Sequence, residues 1–82
     1  VDQFQRASSS IILNICEGVG EFSSKDKAKF YRYARRSSTE CAAILEVCKV
    51  LKLADDEKVR DGRNLLLRIV AMLTKMAIKF SA

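Results

Sequence analysis

The chain has 82 residues, of which 49% are apolar and 30% are charged, and it contains no proline and no histidine. A chain of this length makes one small domain, residues 1–82, and can bury only about 60 to 65% of its unfolded surface. No apolar run approaches the roughly 20 residues of a membrane span. Three cysteines without histidine lack the partners of a zinc site. Composition therefore predicts a reduced, cytoplasmic, all-α protein with no metal, no cofactor and no membrane contact.

The apolar fraction exceeds what three short helices can hide from water by themselves. We therefore expect a second copy of the chain or a further helix to cover the remainder. The chain begins at Val1 already in an amphipathic pattern, so we also expect a segment upstream of it.

The first predicted helix covers about residues 1–17. Its seam positions recur at steps of four, three and four, and they are Phe4, Ser8, Ile11 and Ile15, of which all but the small Ser8 are apolar. Ile12 and Cys16 extend the apolar cover to a second side, which indicates two neighbours. Gly18 is placed to end the helix in a left-handed conformation. The following connection is short, so the next helix should run antiparallel to the first.

The second predicted helix covers about residues 25–53. Steps of three and four define its packing seam, which consists of Phe30, Ala34, Ser37, Cys41, Ile44, Cys48 and Leu51. Ser23 or Ser24 is available as the N-cap, and Asp26 suits the first turn when Ser23 takes that role. In this seam Cys41 and Cys48 are interpreted as small apolar residues.

The third predicted helix covers about residues 57–80 and begins after an acidic segment, residues 55–57, that supplies its N-cap and first turn. Its seam again alternates steps of three and four, and it consists of Val59, Gly62, Leu66, Ile69, Leu73, Met76 and Phe80. Leu65, Leu67, Val70 and Met72 widen the seam beyond one contact face. The predicted fold is therefore an antiparallel up-and-down helical bundle.

The strongest functional signal is a concentration of positive charge in the first half of the second helix. Residues 25–36 carry six Lys or Arg against one acid, Asp26, and this net charge of +5 equals that of the whole chain. Helical spacing places four of the cations on one face over roughly 16 Å. We call this set the basic face, and it consists of Lys25, Lys29, Arg32 and Arg36.

Such a face can neutralise successive phosphates of RNA or DNA, and a nearby tyrosine can stack on an unpaired base. The candidate nucleic-acid-binding residues are Lys25, Lys29, Arg32, Tyr33, Arg35 and Arg36. A charge run is more commonly a solvated face that keeps a small protein soluble, although such surfaces usually mix both signs. A protein-interaction module that docks an acidic protein partner is a further alternative.

Polar residues within apolar surroundings form a second candidate set, and they are Ser10, Asn14, Glu17, Ser37 and Glu40. Their spacing gives the members on each helix a common face. Two carboxylates on neighbouring helices could act as acid and base. A buried polar network that fixes the helix register is the stronger interpretation, because further catalytic partners and metal ligands are lacking. We therefore predict a structural role and no enzyme activity.

Residues 6–18, RASSSIILNICEG, resemble the pattern RRAxxSIxxNIAEG of four-helix-bundle proteins encoded in intervening sequences of bacterial ribosomal RNA. Those proteins are similar to the accessory variability proteins of diversity-generating retroelements. The second helix fits the related pattern FxxxAxxSxxE through Phe30, Ala34, Ser37 and Glu40. Two positions depart from the pattern, since Cys16 replaces a usual alanine and Ile12 stands where proline is frequent.

The resemblance implies that the three helices are the second to fourth of a four-helix bundle. It also implies a homo-oligomer, often a pentameric ring, with a positively charged surface that binds RNA or DNA. It implies no established enzyme activity. Under this resemblance Ser10, Asn14, Glu17, Gly18, Ser37 and Glu40 occupy signature positions.

Overall fold

The computed structural model describes residues 2–81, which form three α-helices and contain no strand. Helix α1 spans Asp2–Gly20, α2 spans Ser24–Val50 and α3 spans Asp56–Ser81. Helices hold about 90% of these described residues, as the sequence predicted for an all-α bundle. None of the helices in residues 2–81 is both long and apolar enough to cross a membrane.

Helix α2 is the central element, because it packs against both α1 and α3 while the α1 and α3 backbones stay apart. The Cα atoms fill a flat volume of 44 × 21 × 12 Å. One cluster of buried residues, around Ile11, Cys41 and Leu66, joins all three helices. A second cluster, around Tyr31 and Leu73, lies nearer the end of α3. The bundle is therefore open on the side opposite α2, between α1 and α3.

The predicted seams agree well with the observed packing. Every residue of the α3 seam is buried or half-buried, and Val59, Leu66 and Leu73 are the most enclosed. The α2 seam holds from Phe30 to Cys48. Leu51 is an exception: it is 60% exposed and caps α2 instead of packing in it.

Helix α1 does not end at Gly18, as the sequence led us to expect. Gly18 has no left-handed backbone conformation, and the helix continues to Gly20. A Cβ atom added to Gly18 would lie 2.6 Å from Cε1 of Tyr31. This glycine therefore permits close approach of α1 and α2. The α1 C-terminus is closed instead by the Lys27 ammonium, which donates to the carbonyl oxygens of Gly18 and Val19 at 3.1 Å each.

Both ends of α2 are capped by identifiable groups. Ser23 is the N-cap, and its side-chain oxygen accepts a hydrogen bond from the Asp26 backbone amide at 3.4 Å. Helix α2 ends at Val50, three residues before the predicted end. Lys52 follows in a left-handed conformation with φ of 57°. The backbone amide of Leu53 donates to the carbonyl of Cys48 at 2.8 Å, which completes a Schellman motif with lysine where glycine is usual.

Many large apolar side chains remain exposed in the single chain. Ile12, Leu65 and Met72, which the sequence placed beyond the packing seams, are 64%, 55% and 49% exposed. Cys16 is exposed as well. Further exposed apolar residues are Leu13, Val19, Phe22, Val47, Val50, Leu53, Leu67 and Ile78.

Candidate nucleic-acid interface

The basic face lies along the outer side of α2, away from the bundle core. Lys25, Arg32 and Arg36 are exposed, and Lys29 is half-buried. Lys29 lies 3.9 Å from the carboxylate of Asp26, the one acid of this segment. Asp26 offsets one of the six positive charges of residues 25–36, which leaves their net charge at +5.

Arg32 of the basic face and the neighbouring Arg35 form hydrogen bonds with side chains of α3. The Arg32 guanidinium donates to the Ser81 hydroxyl at 3.5 Å, and that of Arg35 donates to the Thr74 hydroxyl at 3.4 Å. Both hydrogen bonds are long and use one guanidinium nitrogen each, so other donors remain available. These hydroxyls restrict where the two guanidinium groups point without neutralising them.

The two tyrosines of α2 have different surroundings. Tyr33 is 46% exposed, and its ring meets the Phe30 ring edge-on at a centroid distance of 5.8 Å. Tyr31 is only 3% exposed and packs against Gly18 and Phe80. Of these two rings only Tyr33 is accessible to a base.

Antiparallel packing adds the end of α3 to the same end of the molecule. We call this the basic end: the place where α1 ends, α2 begins and α3 ends. Here the ammonium groups of Lys27 and Lys79 lie 5.8 and 5.4 Å from the centroid of the Phe80 ring. Beside this ring is a cleft of about 400 Å³. It is lined by Lys25, Ala28, Arg32, Phe80 and Ser81.

The sequence patterns did not reveal this cleft, because it joins residues about fifty positions apart. The predicted antiparallel order of α2 and α3 could have indicated the cleft, because it brings the start of α2 beside the end of α3. The opposite end of the bundle differs in charge. There, acids and bases are mixed, and Arg63 donates to the Glu46 carboxylate at 3.0 Å.

The predicted polar network is formed in part. The hydroxyls of Ser10 and Ser37 lie 2.8 Å apart and join α1 to α2. The side-chain amide of Asn14 donates to the carbonyl and hydroxyl oxygens of Ser10 at 2.8 and 3.0 Å. These three residues form what we call the polar cluster.

Glu17 and Glu40 differ from the expectation of burial, since both are exposed. Neither carboxylate accepts a hydrogen bond from any residue between 2 and 81. Glu40 lines the same groove as Ser10 and Ser37, whereas Glu17 lies near the end of α1. In the single chain both side chains are exposed to solvent. The spacing of residues in a sequence shows which of them share a helix face, but not whether that face is buried.

The cysteines form neither a disulfide nor a metal-binding group in the part of the chain that the structure describes. All three are free, and no group of three His, Cys, Asp or Glu side chains within residues 2–81 is placed to hold a metal ion. Burial, and secondarily the charge of Glu40, raises the pKa of the Cys41 thiol. Cys41 therefore stays protonated and acts as a packing residue.

The fold and this surface define a small helical protein with a basic face on its central helix. The family model of the 23S rRNA-intervening sequence proteins matches residues 1–75, and the chain belongs to that family. No curated protein and no solved structure matches the chain. The match covers α1, α2 and most of α3, including the basic face and the polar cluster.

Proposed function

We propose that this chain is a non-enzymatic, homo-oligomeric helical-bundle protein that binds RNA or DNA through its basic face without sequence preference. The observation that carries the proposal is the segregation of charge: residues 25–36 hold a net charge of +5, equal to that of the whole chain, and Lys25, Arg32 and Arg36 among them are exposed. Cations on one side of a helix contact the phosphates of a strand and not its nucleobases. Such a surface therefore binds nucleic acids of any sequence.

Several features of the surface favour nucleic acid over a merely solvated face. The Lys25 and Arg36 side chains form no ion pair within residues 2–81. Arg32 and Arg35 are oriented by hydroxyls and not by carboxylates. A cation that is restricted in position but not neutralised retains its attraction for a phosphate. The exposed part of Tyr33 adds a ring on which a base can stack.

Homo-oligomerisation is part of the proposal because the single chain leaves large apolar side chains in water. Ile12 and Leu13 on α1 and Leu65 and Met72 on α3 are each about half or more exposed. Association of several copies covers such surface. The sequence resemblance implies that the assembly is a pentameric ring. It also repeats the basic face around a symmetry axis, so that weak phosphate contacts add through avidity.

A second candidate is an accessory module that docks an acidic protein partner. The observation that favours it is the mixture of exposed apolar and cationic side chains, since Val47 and Val50 continue α2 beyond the basic face. Protein interfaces use such mixed surfaces, with charge steering the encounter.

The absence of enzyme activity also belongs to the proposal. The family is not a known enzyme family. Asn14 and Ser37 each hydrogen-bond to Ser10, which accounts for these polar groups without chemistry.

Fluorescence anisotropy with labelled RNA and DNA strands of unrelated sequence, measured over a range of salt concentrations, tests the proposal. We expect similar affinities for all sequences and a linear fall of log affinity with log salt concentration. Absence of binding to every strand at low salt would contradict nucleic-acid binding and favour the acidic protein partner.

A further inference from the structure

An aromatic side chain stands free in solvent at the basic end. Phe22 lies in the loop between α1 and α2, and its relative exposure is 102%. The ring is therefore not folded back onto the core. Both of its faces are open to a planar partner.

The other aromatic rings at this end are already engaged. Tyr31 is buried, and its ring lies 5.9 Å from that of Phe80. Phe80 in turn is contacted by two ammonium groups, those of Lys27 and Lys79. Phe22 is thus the ring at the basic end with no intramolecular partner among residues 2–81.

The cleft beside Phe80 has the chemistry of a phosphate site. Lys25 and Arg32 line it with positive charge, the Ser81 hydroxyl lies 3.5 Å from the Arg32 guanidinium, and no side-chain carboxylate of residues 2–81 lines it. Lys25 follows Phe22 by three residues, so their backbones are at most about 10 Å apart. One short length of nucleic-acid strand can therefore reach both the ring and the cleft.

We propose that the basic end binds single-stranded nucleic acid, with Phe22 stacking on an unpaired base and the cleft holding a nearby backbone phosphate. The inference rests on the proposed nucleic-acid function and adds the class of ligand. A base inside a duplex is stacked on both faces and is closed to Phe22. An unpaired base offers its face to an aromatic side chain.

The test compares a labelled single-stranded RNA with a duplex of the same length, using the full chain and its variants. Phe22→Ala should weaken binding of the single strand by roughly 5- to 150-fold, the range for removal of one stacked base. The slope of log affinity against log salt concentration should be the same for Phe22→Ala and the parent chain, because the substitution removes no phosphate contact. Phe22→Tyr keeps a ring and should keep the affinity. Binding of the duplex should be the same for all three proteins.

The cleft is tested separately with the double variant Lys25→Ala/Arg32→Ala. It should reduce the slope of log affinity against log salt by about 0.7 for each phosphate that the variant no longer neutralises on a single strand. The matched control is Lys58→Ala/Arg60→Ala, which removes two exposed cations from the opposite end and should leave the slope almost unchanged. Circular dichroism establishes that each variant is as helical as the parent chain.

Three outcomes overturn the inference. Phe22→Ala could weaken single strand and duplex equally, or change the oligomeric mass without changing single-strand affinity; either result assigns the ring another role. The third is loss of binding in Lys29→Glu/Arg36→Glu combined with unchanged binding in the Phe22 and cleft variants. That last result keeps nucleic-acid binding through Lys29 and Arg36 and removes the role of the basic end, including its Lys25 and Arg32.

Discussion

Gly18 and Tyr31 lie in contact across the α1–α2 interface, where a Cβ on the glycine would lie 2.6 Å from Cε1 of the tyrosine. The ring is only 3% exposed and is also packed against Phe80, so it has little freedom to withdraw. The close approach of α1 and α2 at the basic end therefore depends on the absence of a side chain at Gly18.

Gly18→Ala should lower the free energy of unfolding by about 1 to 3 kcal/mol, the usual cost of inserting a methyl group into a packed interface. Gly20→Ala is the matched control, because nothing lies within 4 Å of a Cβ at that position. Alanine should be neutral or stabilising there, since it has the higher helix propensity. Chemical denaturation measures both, and equal stability of the two variants would show that the Tyr31 ring adapts.

Lys52→Gly should stabilise the protein. Lysine at this position adopts φ of 57°, a left-handed conformation that costs an L-residue about 1 to 2 kcal/mol and costs glycine almost nothing. We expect a gain of about 1 kcal/mol, or a rise in Tm of roughly 4 to 8 °C. Lys49→Gly, in the last turn of α2, makes the same change within a helix and should lower Tm. A fall in Tm for Lys52→Gly would contradict the strained cap.

Asn14→Ala should lower the free energy of unfolding by about 1 to 3 kcal/mol, because it removes the donor to the carbonyl and hydroxyl of Ser10. Gln5→Ala, at an exposed position of the same helix, is the control and should be close to neutral. Thermal melting distinguishes a structural role of the polar cluster from a catalytic one. An unchanged Tm accompanied by loss of a measurable activity would mean that the polar cluster performs chemistry.

Periodicity predicted most of the packing, and it did so for a physical reason. Residues at steps of three and four share a helix face whatever they pack against, so the seam from Val59 to Phe80 could be predicted directly. The role of Gly18 in helix packing could not be predicted in this way, because it depends on which side chain of another helix lies opposite the glycine. For the same reason the sequence placed Arg32 on a helix face but gave no sign of its hydrogen bond with Ser81.

The polar residues also show that spacing predicts which residues share a helix face but not which of them another helix covers. Spacing grouped Ser10 with Asn14, and the structure joins them to Ser37. Glu17 and Glu40 share that spacing but are exposed, because spacing groups residues on a helix face without determining which edge of that face a neighbouring helix covers. The exposure of Phe22 depends on the loop path, which no periodic pattern describes.

Self-association should be detectable by light scattering. Exposed Leu65 and Met72 favour assembly of the chain into a species whose mass is a multiple of 9.2 kDa. Leu65→Glu/Met72→Glu should shift the protein toward monomer, whereas Asn64→Glu, at an exposed polar position of the same helix, should not. A stable monomer at tens of micromolar, with no binding of a dye that reports exposed apolar surface, would falsify this prediction.

The most direct test of nucleic-acid binding is the salt dependence of RNA affinity for Arg32→Glu/Arg36→Glu. The double reversal should weaken binding to all sequences alike and flatten the plot of log affinity against log salt by about 0.7 to 0.9 for each phosphate no longer neutralised. The fold should persist, because both positions are exposed. Arg68→Glu/Lys75→Glu reverses two exposed charges on α3 and should have the smaller effect. Unchanged affinity and slope for the α2 variant, with loss of both for the α3 variant, would contradict the assignment of the basic face.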